Sequence, residues 1–266
     1  MSTAELFQLN GKVAVIIGGA RDLGLDMAQA LGEAGSNLVI TSRTLASAEK
    51  AIDHLKATCT GDILALALDV CDHGQVIATA ETVRSWKGQT DILVNNAGGG
   101  LGLVPTNLFE RKPEDIRQLI DTNLVGTLFC CQAFGKIMAV QGHGSIINIA
   151  SIAGMGGRDR QMYEQNQMHE QPIDYAAAKA GVIGMTQDLA GFLSPLGVRV
   201  NAISPGGFER GQPEGFVKAY SARTPMGRMG KDGVDLKGAA LFLASSASDY
   251  VTGVNLAVDG GFTIWH

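Results

Sequence analysis

Tyr175 and Lys179 stand four residues apart in the run Tyr175-Ala176-Ala177-Ala178-Lys179. On a helix that spacing puts a phenol and an ammonium on one face, about 5–6 Å apart. A phenol titrates near pH ~10 and is a poor base at neutrality, but a neighbouring cation favours the phenolate and draws its pKa toward the working range. The pair is therefore candidate acid/base hardware. A tyrosine packed beside a solvated lysine gives the same pattern, so its meaning rests on the elements that hold it.

Those elements alternate along the whole chain. Lys12-Val13-Ala14-Val15-Ile16-Ile17 is a β-branched run suited to a strand buried on both faces, and it runs into Gly18-Gly19-Ala20-Arg21-Asp22-Leu23-Gly24. A helical pattern (Leu23, Met27, Leu31) follows, then the strand Leu38-Val39-Ile40. This is a βαβ unit whose glycine turn offers backbone N–H groups and a helix dipole to a pyrophosphate. Further apolar runs begin at Ile63, Ile92, Ser145, Val198 and Val254, each ending in small or polar residues. The pattern predicts an α/β domain over 1–266, a doubly wound parallel sheet of about seven strands with helices on both faces and ligands bound beyond the strands' carboxyl ends.

With these motifs in order, the chain resembles the short-chain dehydrogenase/reductase family over essentially its full length. The family's Thr-Gly-x-x-x-Gly-x-Gly maps onto Ile17 to Gly24, its Asn-Asn-Ala-Gly onto Asn95 to Gly98, and its catalytic Asn and Ser onto Asn123 and Ser151. Its Tyr-x-x-x-Lys falls on Tyr175 and Lys179, and its Pro-Gly turn on Pro205 and Gly206. Two positions depart: Ile17 stands for Thr and Asp22 for the middle Gly, which sets a carboxylate near the expected pyrophosphate. That costs affinity unless Asp22 turns away or pairs with a neighbour such as Arg21.

The resemblance implies a single-domain Rossmann fold and a hydride-transfer mechanism. Tyr175 would pass a proton to or from the substrate oxygen, Lys179 would lower the Tyr175 pKa and hold the nicotinamide ribose, Ser151 would donate to the carbonyl oxygen, and Asn123 would position a relay water. The implied cofactor bed comprises Gly18, Arg21, Asp22, Leu23, Gly24, Ser42, Arg43, Asp69, Val70, Asn96, Ala97, Gly98, Tyr175, Lys179, Pro205, Gly206 and Phe208. Ser42 replaces the acidic residue that meets the adenosine ribose in NAD enzymes, and Arg43 and Arg21 could meet a 2'-phosphate, so NADP(H) is favoured, with NAD(H) the alternative.

Composition agrees. The 266 residues suit a sizeable core, and 45% hydrophobic content with a mean hydropathy of +0.12 suggests further burial by oligomerisation. A homotetramer is expected, through the long helices beginning near Pro113 and Asp174. A net charge of −5 without a basic run argues against nucleic acid. We read no apolar stretch approaching about 18 residues and no signal peptide, hence no membrane and a cytoplasmic location. Cys59, Cys71, Cys130 and Cys131 lack metal-ligand spacing and the five histidines are dispersed, so no metal is expected.

The substrate side is written less clearly. Between Ser151 and Tyr175 lie 23 residues, more than family members commonly have, and the excess falls in 157–172, a polar, amide-rich insertion over the site mouth or a surface loop against a neighbouring subunit. Tyr163 is not the catalytic tyrosine, since Gln167 follows it by four. Substrate-covering segments are expected at about 155–173 and 205–230. The stretch after Pro205-Gly206 resembles members acting on sugars and sugar acids, gluconate 5-dehydrogenases among them, and Arg210 stands where many members place a Thr, free to reach a substrate carboxylate or the pyrophosphate. The expected reaction interconverts a secondary alcohol and a ketone of a sugar, polyol or sugar acid. A 3-oxoacyl thioester reductase is the runner-up, distinguished by an apolar, open mouth. A non-catalytic dinucleotide-binding regulator is the third reading, opposed by the complete set of Asn123, Ser151, Tyr175 and Lys179.

Overall fold

The computed structural model describes residues 2–100 and 105–265. Seven parallel strands form one sheet: β1 (Val13–Ile17), β2 (Asn37–Ser42), β3 (Ile63–Ala67), β4 (Ile92–Asn95), β5 (Gly144–Ile149), β6 (Val198–Pro205) and β7 (Asn255–Val258). Their spatial order is β3-β2-β1-β4-β5-β6-β7. Every strand expected from the apolar runs is present, with ends moved by a residue or two, within the ordinary latitude of strand boundaries.

The alternation of β1 explains why it is apolar throughout. Ala14 and Ile16 face one core with Met27, Leu31 and Ile40, while Val13, Val15 and Ile17 face the other with Val83, Phe134 and Ile146. Period-two geometry sends successive side chains to opposite faces, and both faces are covered by helices. The chain runs outward from β1 to β2 and β3, then returns to the other side of β1 as β4. At this switch point the loops after β1 and β4 diverge and leave a crevice.

The helix Pro113–Gln141 corrects one expectation. By length and composition alone it is apolar enough to cross a bilayer, with a mean hydropathy of 1.3 over an 18-residue window, of which 44% is buried within the fold. It packs on the helix His73–Lys87 and on the sheet. It is also interrupted by a π turn, Asp121–Val125, that contains Asn123. After β6 the chain makes a two-residue ladder, Phe208–Glu209 with Gly230–Lys231, which encloses the helix Glu214–Ala222.

The insertion differs from its polar reading. Its short helix Arg160–Glu164 turns Met162 inward, and Met162 joins Phe216, Tyr220 and Met229 in a separate apolar cluster, with Tyr163, Met168 and Phe262 packed against it. Amides and charges dominate the composition of 157–172, but the apolar minority shares one side. The segment thus packs on the 205–230 excursion of its own chain.

Candidate active site

Tyr175, Ser151 and Lys179 meet above the carboxyl ends of β5 and β6, all three buried, with 8%, 8% and 4% of their surface exposed. Tyr175 and Lys179 come from the helix Ile173–Leu193, and Ser151 begins a single 3₁₀ turn after β5, its Oγ accepting from Ala153 N at 3.1 Å. Burial raises the Tyr175 pKa, against which the Ser151 hydroxyl and the Arg158 charge act in the opposite sense. Lys179 Nζ lies 5.8 Å from the Tyr175 ring centroid and donates to Ile149 O at 2.7 Å, and burial pulls its own pKa down to about 8. The groups that lower the Tyr175 pKa here are therefore the Ser151 hydroxyl and the Arg158 charge, and Lys179 is not among them.

Asn123 is buried, and its side chain is committed to backbone. Oδ1 accepts from Gly99 N at 2.9 Å, while Nδ2 is shared between Gly99 O at 3.2 Å and Leu119 O at 3.1 Å. Its carbonyl accepts from Thr127 Oγ1 at 3.0 Å. With these bonds Asn123 pins the segment after β4 that crosses the Tyr175 ring. Gly98 must be glycine there: its φ is +133°, and a Cβ would come within 2.4 Å of Asn123 Oδ1.

Arg111 was not anticipated. Its guanidinium is buried against Asp174, Nη2 to Oδ2 at 2.6 Å, immediately before Tyr175. This pair ties the entrance of the helix Pro113–Gln141 to the entrance of the helix that carries the Tyr–Lys pair. Nothing local in the sequence signals it, because the partners are 63 residues apart.

At the other end of the cleft the glycine turn follows β1. Gly18 has φ +74°, its N donates to Thr41 Oγ1 at 3.2 Å, and its O accepts from Asn96 Nδ2 at 2.8 Å. Gly24 is not among the residues that line the cleft, and a Cβ there would strike Gly18 O at 2.2 Å and Asn96 Nδ2 at 2.5 Å. It serves close helix–strand packing. Asp22 occupies the middle-glycine position with φ +51°, the left-handed conformation that Asp tolerates better than most residues. Its carboxylate lies 3.7 Å from Arg21 Nε and 3.9 Å from Arg210 Nη1. Arg210, expected to reach substrate or pyrophosphate, is held instead by Asp232 at 2.5 Å.

All other residues expected at the cofactor and the reacting centre line one cleft of about 2590 Å³, from Arg43 and Ser42 past Asp69, Val70 and the glycine turn to Ser151 and Tyr175. Arg43 is exposed, and Lys50 and His54 from the following helix join it at the rim, an addition the motif did not reveal. The bed fits a dinucleotide: it is roomy enough, it is lined by Gly18 and Gly98, and it carries cations at the Ser42 end. Among the described residues no cluster of His, Cys, Asp or Glu could hold a metal ion. The mouth is mixed, with Arg158, Gln171 and Gln212 beside Met155, Met162, Tyr163 and Phe216.

The family described as enoyl-(acyl carrier protein) reductase matches residues 18–263. A galactitol 2-dehydrogenase (L-tagatose-forming) of Cereibacter sphaeroides is 34% identical over all of both chains. A 3-oxoacyl-(acyl-carrier-protein) reductase of Escherichia coli is 33% identical over 94% of this chain and 97% of its own. Among solved structures, a gluconate 5-dehydrogenase from Burkholderia cenocepacia in complex with NADP and tartrate is 34% identical, with a TM-score of 0.87 over all of both chains.

Proposed function

This chain belongs to the short-chain dehydrogenase/reductase family, and we propose that it interconverts a secondary alcohol and a ketone of a sugar, polyol or sugar acid, using NADP(H) in preference to NAD(H). The observation that carries the reading is the convergence of Tyr175, Ser151 and Lys179 at one end of a cleft whose other end is the glycine turn and Arg43. The relatives named for galactitol and gluconate support the substrate class, and the one crystallised with NADP and tartrate supports both the cofactor and a hydroxylated acid as a ligand.

The nicotinamide, when bound, supplies or accepts the hydride. On the protein side, Tyr175 exchanges a proton with the substrate oxygen, and Ser151 donates to that oxygen as charge grows on it. Lys179, anchored on Ile149 O, would hold the nicotinamide ribose with its ammonium. Asn123 and the Arg111–Asp174 pair act through others, holding the Gly98–Gly100 segment and the start of the Tyr175 helix in place. Segments 155–173 and 205–230 cover the substrate, and Arg43 with Arg21 receives the 2'-phosphate.

The decisive experiment titrates the protein with NADPH and NADH by fluorescence, then follows nicotinamide absorbance with polyols, aldonates, keto acids and a 3-oxoacyl thioester. Binding without turnover of any of them would favour a regulator. A second reading, thioester reduction, is supported by the apolar side of the mouth at Met162, Tyr163 and Phe216. Preference for the thioester would establish it.

We further propose a homotetramer. The two long helices leave Leu128, Val140, Ile173 and Phe192 exposed, which supports assembly through them. Light scattering at micromolar concentration should return four times the 27.8 kDa chain mass, and a monomer would overturn it. A cytoplasmic location, with neither membrane nor nucleic acid as partner, accords with four free thiols and the acidic net charge.

A further inference from the structure

Of the insertion's charges, Asp159, Arg160 and Glu170 are paired, while the exposed Glu164 and the cleft-lining Arg158 have no ion-pair partner among the described residues. Asp159 bonds Arg223 at 2.8 Å, and Glu170 bonds Arg160. Elsewhere along the cleft Arg111 is taken by Asp174 and Arg210 by Asp232. Arg158 lines the same cleft as Ser151 and Tyr175, yet among the described residues no carboxylate lies within ion-pair distance of it. Its guanidinium is nonetheless held: Nη1 donates to Gln171 O across the base of the insertion, and Cζ lies 5.9 Å from the centre of the Tyr163 ring. A planar cation fixed through one donor keeps its remaining donors for something else. Its field also reaches the reacting group, since the Arg158 charge acts on the Tyr175 phenol.

From this geometry we infer that Arg158 is an anion-recognition residue, receiving the carboxylate of the substrate while the carbinol carbon lies at Tyr175 and Ser151. The inference rests on the sugar-type reading above and narrows it, from sugars, polyols and sugar acids alike to the hydroxy acids and their keto forms. A fork of two N–H donors matches a carboxylate, and a partly buried guanidinium without a counter-ion gains most from an anion delivered by the ligand. A neutral polyol would leave that charge unmatched at the mouth, so the site discriminates by charge before it discriminates by hydroxyl configuration.

The test compares gluconate with the neutral alditol of the same carbon number, and with a 3-oxoacyl thioester as a third substrate. The wild-type protein should favour the acid over the alditol in kcat/KM, and Arg158→Ala should lower that ratio by about ten- to a hundredfold, mainly through KM. Arg158→Lys, which keeps the charge and loses the fork, should recover part of it. Isothermal titration of gluconate into NADP-saturated protein supplies a reading independent of turnover, and Arg158→Ala should weaken that binding by a similar factor while unfolding at the wild-type temperature. A wild-type preference for the alditol, or an equal loss on both sugars, would overturn the role of Arg158 and leave the sugar-type reading standing. Turnover of the thioester alone, with no gluconate binding, would overturn both.

Discussion

The two ends of the cleft are built by different means. At the cofactor end the surface is backbone: Gly18, Asn96 and Gly98 follow directly from β1 and β4, and their positions are set by the sheet. At the substrate end it is side chains: Arg158, Met162, Gln171 and Phe216 come from excursions that have no strand of the main sheet beneath them. A backbone-made site needs particular residues at fixed offsets, because only glycine tolerates the conformation or the approach. A site made of side chains can be assembled from many residue types, and so leaves a weaker trace in the sequence.

Breaking the chemistry where the two ends meet should give the largest effect. Tyr175→Phe keeps the ring and removes the transferable proton, so kcat should fall by about 10²–10⁴ while NADPH affinity stays within about threefold. A variant retaining more than about a tenth of the wild-type rate would remove Tyr175 from its role. Next comes the hidden tie between the two helix entrances: Arg111→Ala leaves Asp174 charged and buried, which should destabilise the protein by about 3–5 kcal/mol in urea unfolding. Loss of less than about 1 kcal/mol would show that water reaches Asp174 without hindrance.

Lys179 sharpens the comparison through pH. Its folded-state pKa of about 8 lies below the ordinary value of 10.5, so the unfolded chain holds that proton more tightly. Protonated Lys179 thus destabilises the fold, fully below pH ~8 and decreasingly up to the ordinary lysine pKa. Lys179→Met should abolish turnover yet stabilise the protein at pH 7 by roughly 3 kcal/mol, with the gain shrinking as pH rises through that window. A pH-independent difference in unfolding free energy would contradict this. The smallest effect belongs to the exposed rim. Arg43→Ala should weaken NADPH about ten- to a hundredfold, toward the lower figure if Arg21 and Lys50 share the phosphate, and leave NADH almost unchanged. Equal affinity of the wild-type protein for both would make Arg43 an ordinary surface charge.

The same division governs what can be read from the residues. All seven strands are legible, because a strand buried on both faces must be apolar throughout, and the glycine turn and the Tyr175–Lys179 spacing announce themselves. Gly24 is legible as a glycine but not as a packing glycine, since its close approach to Gly18 O depends on how the helix seats on the sheet. The apolar side of the insertion is hidden by averaging: Met162, Tyr163 and Met168 are a minority among amides and charges, yet they face one cluster. Arg111 and Asp174 are invisible as a pair, because nothing in either neighbourhood reports a partner 63 residues away. The long apolar helix is underread for a related reason: a helix that packs on core along part of its length matches a bilayer span by composition alone.

The π turn at Asp121–Val125 changes the phase of the helix that contains it. Leu119, Asn123, Thr127 and Cys131 are all buried and recur every fourth residue. On a regular helix each such step overshoots a full turn by about 40°, so Leu119 and Cys131 would point about 120° apart. The wider turn absorbs part of that overshoot and acts as a phase slip, letting one face of a long helix serve both Tyr175 and the core. The count of residues between Leu119 and Cys131 therefore carries information that their identities do not. A single deletion there would leave composition, charge and hydropathy nearly intact and, at about 100° per residue over a regular helix, still bring Leu119 and Cys131 to within about 20° of one direction; what it would remove is the wide turn that carries Asn123.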